Sequence, residues 1–404
     1  MHRRLILIAL FGLMIHSLPA QQQPRVVGYL PYYRFGLVDQ IALDKLTHLC
    51  LAFANPDANG NLSVGGADIA PVVTAAQNQQ VKVLLSLAGG ALTTNWAAYW
   101  ALHTQPQNRA AFIHKIITYM QAYNMDGLDV DLEWSHVDQN YSGFVLQLRD
   151  SLDAYGKLMT AALPGTHRYS NMSDEAMHAY DFINMMAYDL TGPWAPNNPG
   201  PHSPYTFALS AINYWKAQGV SGEKLTLGVP FYGWDFTDPN DVHSVTFGGM
   251  VAQNTAYADL DQVGDIYYNG ISTIMAKTEL ALEEVSGVMI WELGQDAFNE
   301  YSLLTTIHET VSNFVSTEET GTPDKRTLSI LAFPNPFDAV LNLRSQESSR
   351  VQLSLFSLQG QLLLEKELEA YTTDTWDAAG LPSGSYVIRA VSGDAVKAWM
   401  VHKR

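Results

Sequence analysis

Eight short apolar segments constrain the fold of this chain more than any other feature. They cover residues 26–31, 47–54, 81–87, 127–132, 158–163, 182–188, 225–230 and 288–291. Several are apolar at nearly every position and rich in β-branched residues, which is typical of strands that are buried on both faces of a parallel sheet. Helical patterns lie between them, for example over residues 106–124 and 141–155.

This alternation of strands and helices predicts the fold class. Eight strand–helix units suffice to close a (β/α)8 TIM barrel of class α/β, and such a barrel takes about 250 residues. A doubly wound open sheet is the structural alternative. No glycine-rich phosphate loop follows the first apolar segment, so the pattern favours the barrel.

The pattern changes near residue 316. Residues 316–326 are polar, with Thr, Glu and Pro, which predicts an exposed linker. Short alternating segments follow at residues 341–345, 351–356, 361–364 and 386–390, with turn signals between them. They predict a small all-β sandwich. The predicted domains are a signal peptide at 1–20, a barrel at 21–315, a linker at 316–326 and a sandwich at 327–404.

The first twenty residues have the order of a secretory signal peptide. A basic start, Met1–Arg4, precedes an apolar run at residues 5–15 and a small residue, Ala20. The run is too short for a membrane span, which needs about 20 residues. A buried N-terminal helix is the alternative. We therefore expect a secreted or cell-surface protein. Cys50 is the single cysteine, so no internal disulfide and no cysteine-rich metal site can form.

Charge and composition exclude several classes of partner. The formal net charge is −17, which argues against nucleic acid or an anionic membrane surface as the main partner. After the signal peptide, no stretch is long enough for a membrane helix. The 12 histidines show no HExxH or similar spacing, so we predict no catalytic metal and no cofactor.

The segment DGLDVDLEW at residues 126–134 carries the chemistry. On a strand, side chains alternate between faces, so Asp129, Asp131 and Glu133 share the face opposite three apolar residues. Burying three carboxylates is costly, and their mutual repulsion should keep at least one of them protonated at neutral pH. Glu133 ends the segment at the mouth of the barrel, where a protonated carboxyl can act as a general acid. A solvated acidic strand end or a cation site is the alternative.

Asp126 lies an odd number of residues from these three carboxylates, so on a strand it would point to the opposite face. We assign it a structural role.

This segment resembles the DxxDxDxE signature of the family 18 glycoside hydrolases, which include chitinases and endo-β-N-acetylglucosaminidases. Four further segments fall on predicted strands in the family's order. Residues 86–90, SLAGG, resemble S-x-G-G with Ala88 in place of the first glycine. Residues 186–189, MAYD, match M-x-Y-D, and residues 287–291, GVMIW, match the last strand with its tryptophan. Residues 27–29 resemble the first strand.

The resemblance implies a hydrolase for β-linked N-acetylglucosamine that uses the substrate's own acetamide as nucleophile. Glu133 would be the general acid, Asp131 would orient the acetamide, and Tyr188 would support the acetamide oxygen. Asp129 would not touch the substrate but would contact the residues that do. The implied substrate-binding residues are Trp291, Tyr29, Ser86, Met186 and Asp189. An endo-β-N-acetylglucosaminidase acting on N-glycans and a non-catalytic chitin-binding lectin are the alternatives.

The tryptophans divide by position. Trp291 ends the eighth segment and matches the family's floor beneath the cleaved sugar. Trp96, Trp194 and Trp234 each follow a predicted strand, so they could stack on sugar rings or pack in the core. Trp100 and Trp215 lie in helical stretches and are predicted to be core residues.

The C-terminal segment has a resemblance of its own. The ordered motifs FPNPF at 333–337, LFSLQG at 355–360 and LPSGSY at 381–386 are similar to the type A sorting domain of type IX secretion. This resemblance implies the type IX secretion machinery as a partner. A carbohydrate-binding sandwich is the competing interpretation, although only Trp376 and Trp399 are available for a binding face.

Overall fold

A closed barrel of eight parallel strands forms the larger part of the computed structural model, which describes residues 23–319, 328–357, 361–393 and 395–403. The strands are β1 Arg25–Pro31, β2 His48–Pro56, β3 Lys82–Ala88, β4 Gly127–Asp131, β5 Leu158–Pro164, β6 Phe182–Met186, β7 Leu225–Pro230 and β8 Gly287–Trp291. Each pairs with the next in parallel, and β8 pairs with β1. The predicted TIM barrel is therefore confirmed.

One strand boundary bears on the site. β6 ends at Met186, two residues before the end of the predicted segment. The backbone N–H of Ala187 donates to the carbonyl of Met185 at 2.9 Å, so the chain turns tightly there. Tyr188 and Asp189 consequently lie just beyond the strand, at the mouth of the barrel.

Helices surround the barrel. They are α1 Ala70–Asn78, α2 Thr94–His103, α3 Arg109–Ala122, α4 Tyr141–Asp153, α5 Asp174–His178, α6 Tyr205–Ala217, α7 Phe247–Gln253, α8 Ile271–Glu284 and α9 Leu303–Glu319. Short 3-10 turns cover Tyr32–Gln40, Leu43–Lys45, Trp134–His136, Gly222–Lys224, Thr255–Asp259 and Leu293–Gln295. α9 ends four residues inside the segment predicted as linker. The rest of that linker and the predicted signal peptide lie outside the described residues.

Further short strands lie outside the eight-stranded barrel. A short strand, Leu62–Val64, pairs with β2. Between β7 and β8, four short strands form a separate antiparallel sheet, the small sheet, made of Tyr232–Asp235, His243–Thr246, Gln262–Val263 and Ile266–Tyr267. This sheet stands beside the mouth, because its first strand begins two residues after β7.

The barrel buries two apolar layers, which explains why its strands are apolar on both faces. In β3, Leu85 and Leu87 pack in the layer between strands and helices, whereas Leu84 packs inside the barrel. Trp100 and Trp215 are buried in the outer layer, as predicted.

The C-terminal part has its own apolar core, which includes Leu341, Leu353 and Ile388. Its strands are β9 Ile330–Phe333, β10 Val340–Ser345, β11 Val351–Ser357, β12 Leu362–Leu368, β13 Thr373–Asp377, β14 Gly384–Ser392 and β15 Ala395–Lys403. They form two antiparallel sheets, in the orders β9-β10-β13 and β12-β11-β14-β15. The sequence prediction missed β9, β13 and β15.

Candidate active site

Strand β4 places two carboxylates inside the barrel. Leu128 and Val130 pack in the outer apolar layer, so the alternating side chains of Asp129 and Asp131 point the other way. Asp129 is fully buried, and Asp131 is 4% exposed. Glu133 follows the strand on extended backbone at its carboxyl end. The acidic segment therefore runs from the barrel interior to its mouth.

Asp129 is held by four hydrogen bonds. Its Oδ2 accepts from the hydroxyls of Tyr29 (2.8 Å) and Ser86 (2.7 Å). Its Oδ1 accepts from the Thr160 hydroxyl (2.6 Å) and from Nδ2 of Asn184 (3.3 Å). Burial raises the pKa of the Asp129 carboxyl, and these hydrogen bonds oppose that rise. The carboxylate is thus fixed rather than free to move.

Asp131 and Glu133 form a coupled pair. Burial, and then the charges of Glu133 and Asp129, raise the pKa of Asp131 well above its ordinary value. Burial first, and then the charge of Asp189, raise the pKa of Glu133 to about 7. A hydrogen bond between the two carboxyl groups requires a proton on one of them. The pair therefore holds a proton near neutral pH.

One oxygen of this pair has an unusual environment. Oδ1 of Asp131 is buried and has no hydrogen-bond partner among the described residues. A buried polar atom without a partner costs about 1–3 kcal/mol, so native proteins rarely keep one without a reason. The described residues thus leave one acceptor of Asp131 unused.

The backbone that follows β3 packs closely against the Glu133 carboxyl. A Cβ atom on Gly90 would lie 2.4 Å from Oε1 of Glu133, so glycine leaves the space that the carboxyl occupies. The N–H of Gly89 donates to the carbonyl of Asp131 at 3.0 Å. Ala88 replaces the first glycine of the motif yet has a φ of 78°, a left-handed conformation that favours glycine. The backbone thus keeps the shape that the motif implies.

The turn after β6 supplies Tyr188 and Asp189. The Tyr188 hydroxyl lies 3.8 Å from the sulfur of Met289, a weak contact. Burial and the neighbouring carboxylates raise the pKa of Tyr188, so its hydroxyl stays protonated and can donate. Oδ1 of Asp189 accepts from the Tyr232 hydroxyl (2.6 Å) and from Nε1 of Trp234 (3.0 Å).

Trp291 lies at the end of β8. Its ring stacks on Phe53 with centroids 5.6 Å apart, and it meets the edge of Tyr29 at 5.8 Å. The next residue, Glu292, accepts from Nε of Arg34 (3.1 Å) and from the N–H of Gly294 (2.8 Å). Because Glu292 is 1% exposed, this ion pair fixes the turn that follows Trp291.

A pocket of about 500 Å³ opens beside the acidic pair. The residues that line it include Glu133, Trp134, Met186, Tyr188, Asp189 and Trp194. Trp134 is 60% exposed and stacks on His167, and Trp194 is 57% exposed and meets the edge of Trp234 at 5.8 Å. Trp96 lies in the first turn of α2 and does not line this pocket.

The structure thus brings the predicted site residues together at one end of the barrel. Asp126, which was assigned a structural role, accepts a hydrogen bond from the backbone N–H of Val83 at 2.8 Å. Sequence reasoning missed Thr160, Asn184 and Thr226, which share inward-facing hydrogen bonds with the acidic segment or with each other. Isolated polar residues inside apolar strands were the available signal.

Two absences hold for the described residues. They include no group of three or more His, Cys, Asp or Glu side chains that could hold a metal ion. Within the same part of the chain, none of the helices is long and apolar enough to cross a membrane.

Comparisons with known proteins agree with this site. The model of glycosyl hydrolases family 18 matches residues 25–296, and that of the secretion system C-terminal sorting domain matches residues 331–401. A solved GH18 chitinase, ChiB from the chitin utilization locus of Flavobacterium johnsoniae, is 48% identical. The similarity covers 73% of this chain and 96% of that one, with a TM-score of 0.72.

Two curated relatives are similar over part of their length. The chitinase-like effector of Moniliophthora roreri is 27% identical over 50% of this chain and 55% of its own length. Endochitinase 1 of Metarhizium robertsii is 31% identical over 41% of this chain and 44% of its own length. The chain therefore spans about half the length of these relatives. On the evidence of its barrel domain, the chain belongs to glycosyl hydrolases family 18 and also carries a C-terminal sorting domain.

Proposed function

We propose that this protein cleaves β-1,4-linked N-acetylglucosamine in chitin or chito-oligosaccharides, by a retaining mechanism that the substrate's acetamide assists. The observation that carries the proposal is the buried, unpartnered Oδ1 of Asp131 beside a carboxyl that holds a proton near pH 7. An N-acetyl group offers an N–H donor to that oxygen. The chitinase names of the similar proteins favour this substrate class.

In the first step, Glu133 transfers its proton to the glycosidic oxygen as the bond from that oxygen to C1 breaks. The acetamide oxygen of the same sugar forms a bond to C1 from the opposite face, which gives an oxazolinium-type intermediate. Asp131 accepts a hydrogen bond from the acetamide N–H and so directs the acetamide oxygen towards C1. The Tyr188 hydroxyl, which has only a weak sulfur contact, donates to the acetamide oxygen.

In the second step, water attacks C1 from the face that the leaving group vacated. Glu133, now ionised, takes a proton from that water, and the bond between C1 and the acetamide oxygen breaks. Two inversions at C1 retain the β-configuration. Asp129 supports this exchange by holding the inner end of the acidic segment through its four hydrogen bonds.

Three of the remaining predicted residues bind the sugar chain in this proposal. Trp291, backed by Phe53, offers a flat face to the sugar that is cleaved. Met186 and Asp189 contact the substrate from the pocket wall. Tyr29 and Ser86 act indirectly, because their hydroxyls are used by Asp129.

We further infer that the C-terminal domain directs export. The match to a sorting domain and the separate apolar core support a unit that the type IX machinery recognises and that adds nothing to catalysis. Together with the signal peptide predicted at residues 1–20, this domain would deliver the barrel at 21–315 to the cell surface or the medium. The segment from 316 to 326 would link it to the sorting domain at 327–404.

Product analysis tests the proposed reaction. Chitohexaose and a high-mannose glycoprotein are incubated with the protein, and NMR records the anomer that forms first. We expect β-anomeric chito-oligosaccharides and competitive inhibition by a thiazoline analogue of N-acetylglucosamine. A first-formed α-anomer, or equal activity on substrates without the N-acetyl group, contradicts the mechanism. Cleavage of the glycoprotein alone indicates an endo-β-N-acetylglucosaminidase, and binding without cleavage indicates a lectin.

A further inference from the structure

Lys277 is a fully buried cation that the proposed mechanism does not use. It lies on α8, and its Nζ donates to the carbonyl of Ser203 (2.6 Å), to the Ser203 hydroxyl (2.7 Å) and to Oδ1 of Asn269 (2.6 Å). An ammonium group has three donors, and all three are used here on neutral oxygens. Burial lowers the pKa of Lys277 to about 7, and the charge of Asp261 opposes that fall. Burying an amine is costly, and the three hydrogen bonds offset that cost.

The two acceptor residues belong to different segments at the barrel mouth. Ser203 ends the loop at residues 190–203, which follows β6, and its hydroxyl donates to the carbonyl of Ala187 at 2.7 Å. Asn269 lies between the small sheet and α8, and its Nδ2 donates to the Ser203 carbonyl at 3.1 Å. Lys277 therefore joins this loop to the end of the small sheet.

The same two segments carry two tryptophans beside the pocket, which we call the aromatic wall: Trp194 lines the pocket, and Trp234 packs against Trp194. The loop presents Trp194, and the small sheet presents Trp234. Both segments also contact Asp189. Its carboxyl accepts a hydrogen bond from Trp234 of the small sheet and lies 3.3 Å from Nδ1 of the buried His202 of the loop. The other ring nitrogen of His202 lies 3.2 Å from the carbonyl of Tyr232. The wall thus depends on how the loop and the sheet are held together.

We propose that Lys277 is a positioning residue for saccharide binding, which joins the loop and the small sheet so that Trp194, Trp234 and Asp189 keep their arrangement. The proposal rests on the proposed function, because it assumes that the aromatic wall contacts sugar units away from the cleaved bond. Replacing Lys277 leaves the oxygens of Ser203 and Asn269 without their shared donor. The wall then loses its fixed geometry, whereas Asp129 at the inner end of the acidic segment keeps its hydrogen bonds from β1, β3, β5 and β6.

The test compares a long and a short substrate in the Lys277→Met variant. We expect the KM for chitohexaose to rise about tenfold, which corresponds to about 1.4 kcal/mol of binding free energy. We expect kcat for chitohexaose, and both constants for an aryl N,N′-diacetylchitobioside, to change less than about threefold. The short substrate makes fewer contacts with the wall.

Leu280→Ala is the matched control for a purely structural effect. Leu280 is buried on the same helix, and its side chain has no polar atom that could bond to Ser203 or Asn269, so its truncation should lower the melting temperature without removing a hydrogen bond between the loop and the small sheet. Thermal melting confirms that both variants are destabilised, and the kinetics are measured well below both melting temperatures. Equal losses on both substrates in both variants, or an unchanged KM for chitohexaose in Lys277→Met, overturn the proposal.

Ser203→Ala is a second, milder variant for the same test if Lys277→Met does not fold. It removes one acceptor of Lys277 and the donor to Ala187, and we expect a smaller rise in the same KM. An unchanged KM in that variant also overturns the proposal. A wild-type protein that binds chitohexaose without cleaving it contradicts the proposed function alone, and the Kd for chitohexaose then replaces KM as the measure. A wild-type protein that does not bind chitohexaose contradicts both.

Discussion

Gly90→Ala offers a quantitative test of the close packing between Gly90 and the Glu133 carboxyl. The added Cβ would lie 2.4 Å from Oε1 and 3.0 Å from Cδ of Glu133, whereas ordinary contacts begin near 3.4 Å. The carboxyl must therefore retreat by about 1 Å, and a displacement of that size can cost roughly 10²-fold in rate. This loss corresponds to about 2.7 kcal/mol of transition-state stabilisation. Gly90 has no positive φ, so alanine fits its backbone without strain.

The assay measures kcat for chitohexaose together with the free energy of unfolding in urea. We expect kcat to fall about 10²-fold while the free energy of unfolding changes by less than about 1 kcal/mol, because reduced freedom of the unfolded chain offsets the crowding. Gly36→Ala is the matched control. Gly36 lies in a turn at the same end of the barrel, and a Cβ there would meet no atom within 4 Å. A Gly90→Ala variant that keeps more than a third of wild-type kcat would refute the reasoning.

Four further outcomes follow from the same geometry. Glu133→Gln should lower kcat about 10²–10⁴-fold while the Kd for chitohexaose, measured by calorimetry, stays within a few-fold of the wild-type value. Since the pKa of Glu133 is about 7 and its protonated form is required, kcat/KM should fall as pH rises through about 7; Asp189→Asn should move this limb to lower pH in the measured profile. Thr160→Val removes a 2.6 Å hydrogen bond to the buried Asp129 and should lower the free energy of unfolding in urea by about 1.5–3 kcal/mol. A chain of residues 21–320 should keep wild-type kcat/KM on soluble oligosaccharides. In the native host, a chain of residues 1–320, which keeps the predicted signal peptide, should be found in the periplasm by fractionation.

The barrel and its acidic pair could be predicted because burial determines both. Strands covered on two faces must be apolar at nearly every position, and a strand with carboxylates at alternating positions departs from that rule visibly. The missed strand β13 is mostly exposed and polar, so it lacks the periodicity that reveals a buried strand.

The roles of Gly90 and Lys277 could not be predicted, because both arise from contacts between distant segments. A glycine after β3 matters only because Glu133 approaches it from β4. A lysine within an amphipathic helix ordinarily lies in solvent, and nothing near Lys277 in the sequence indicates that a loop and a small sheet supply its acceptors. The same holds for the ion pair between Arg34 and Glu292.

The pairing of β1 with β8 is needed to complete the site. These strands come from opposite ends of the barrel segment, and Trp291 reaches Phe53 and Tyr29 only after they meet. A chain that emerges from its N-terminus presents the acidic segment long before it presents Trp291. A partial chain is therefore expected to be inactive until the last barrel strand has emerged and paired.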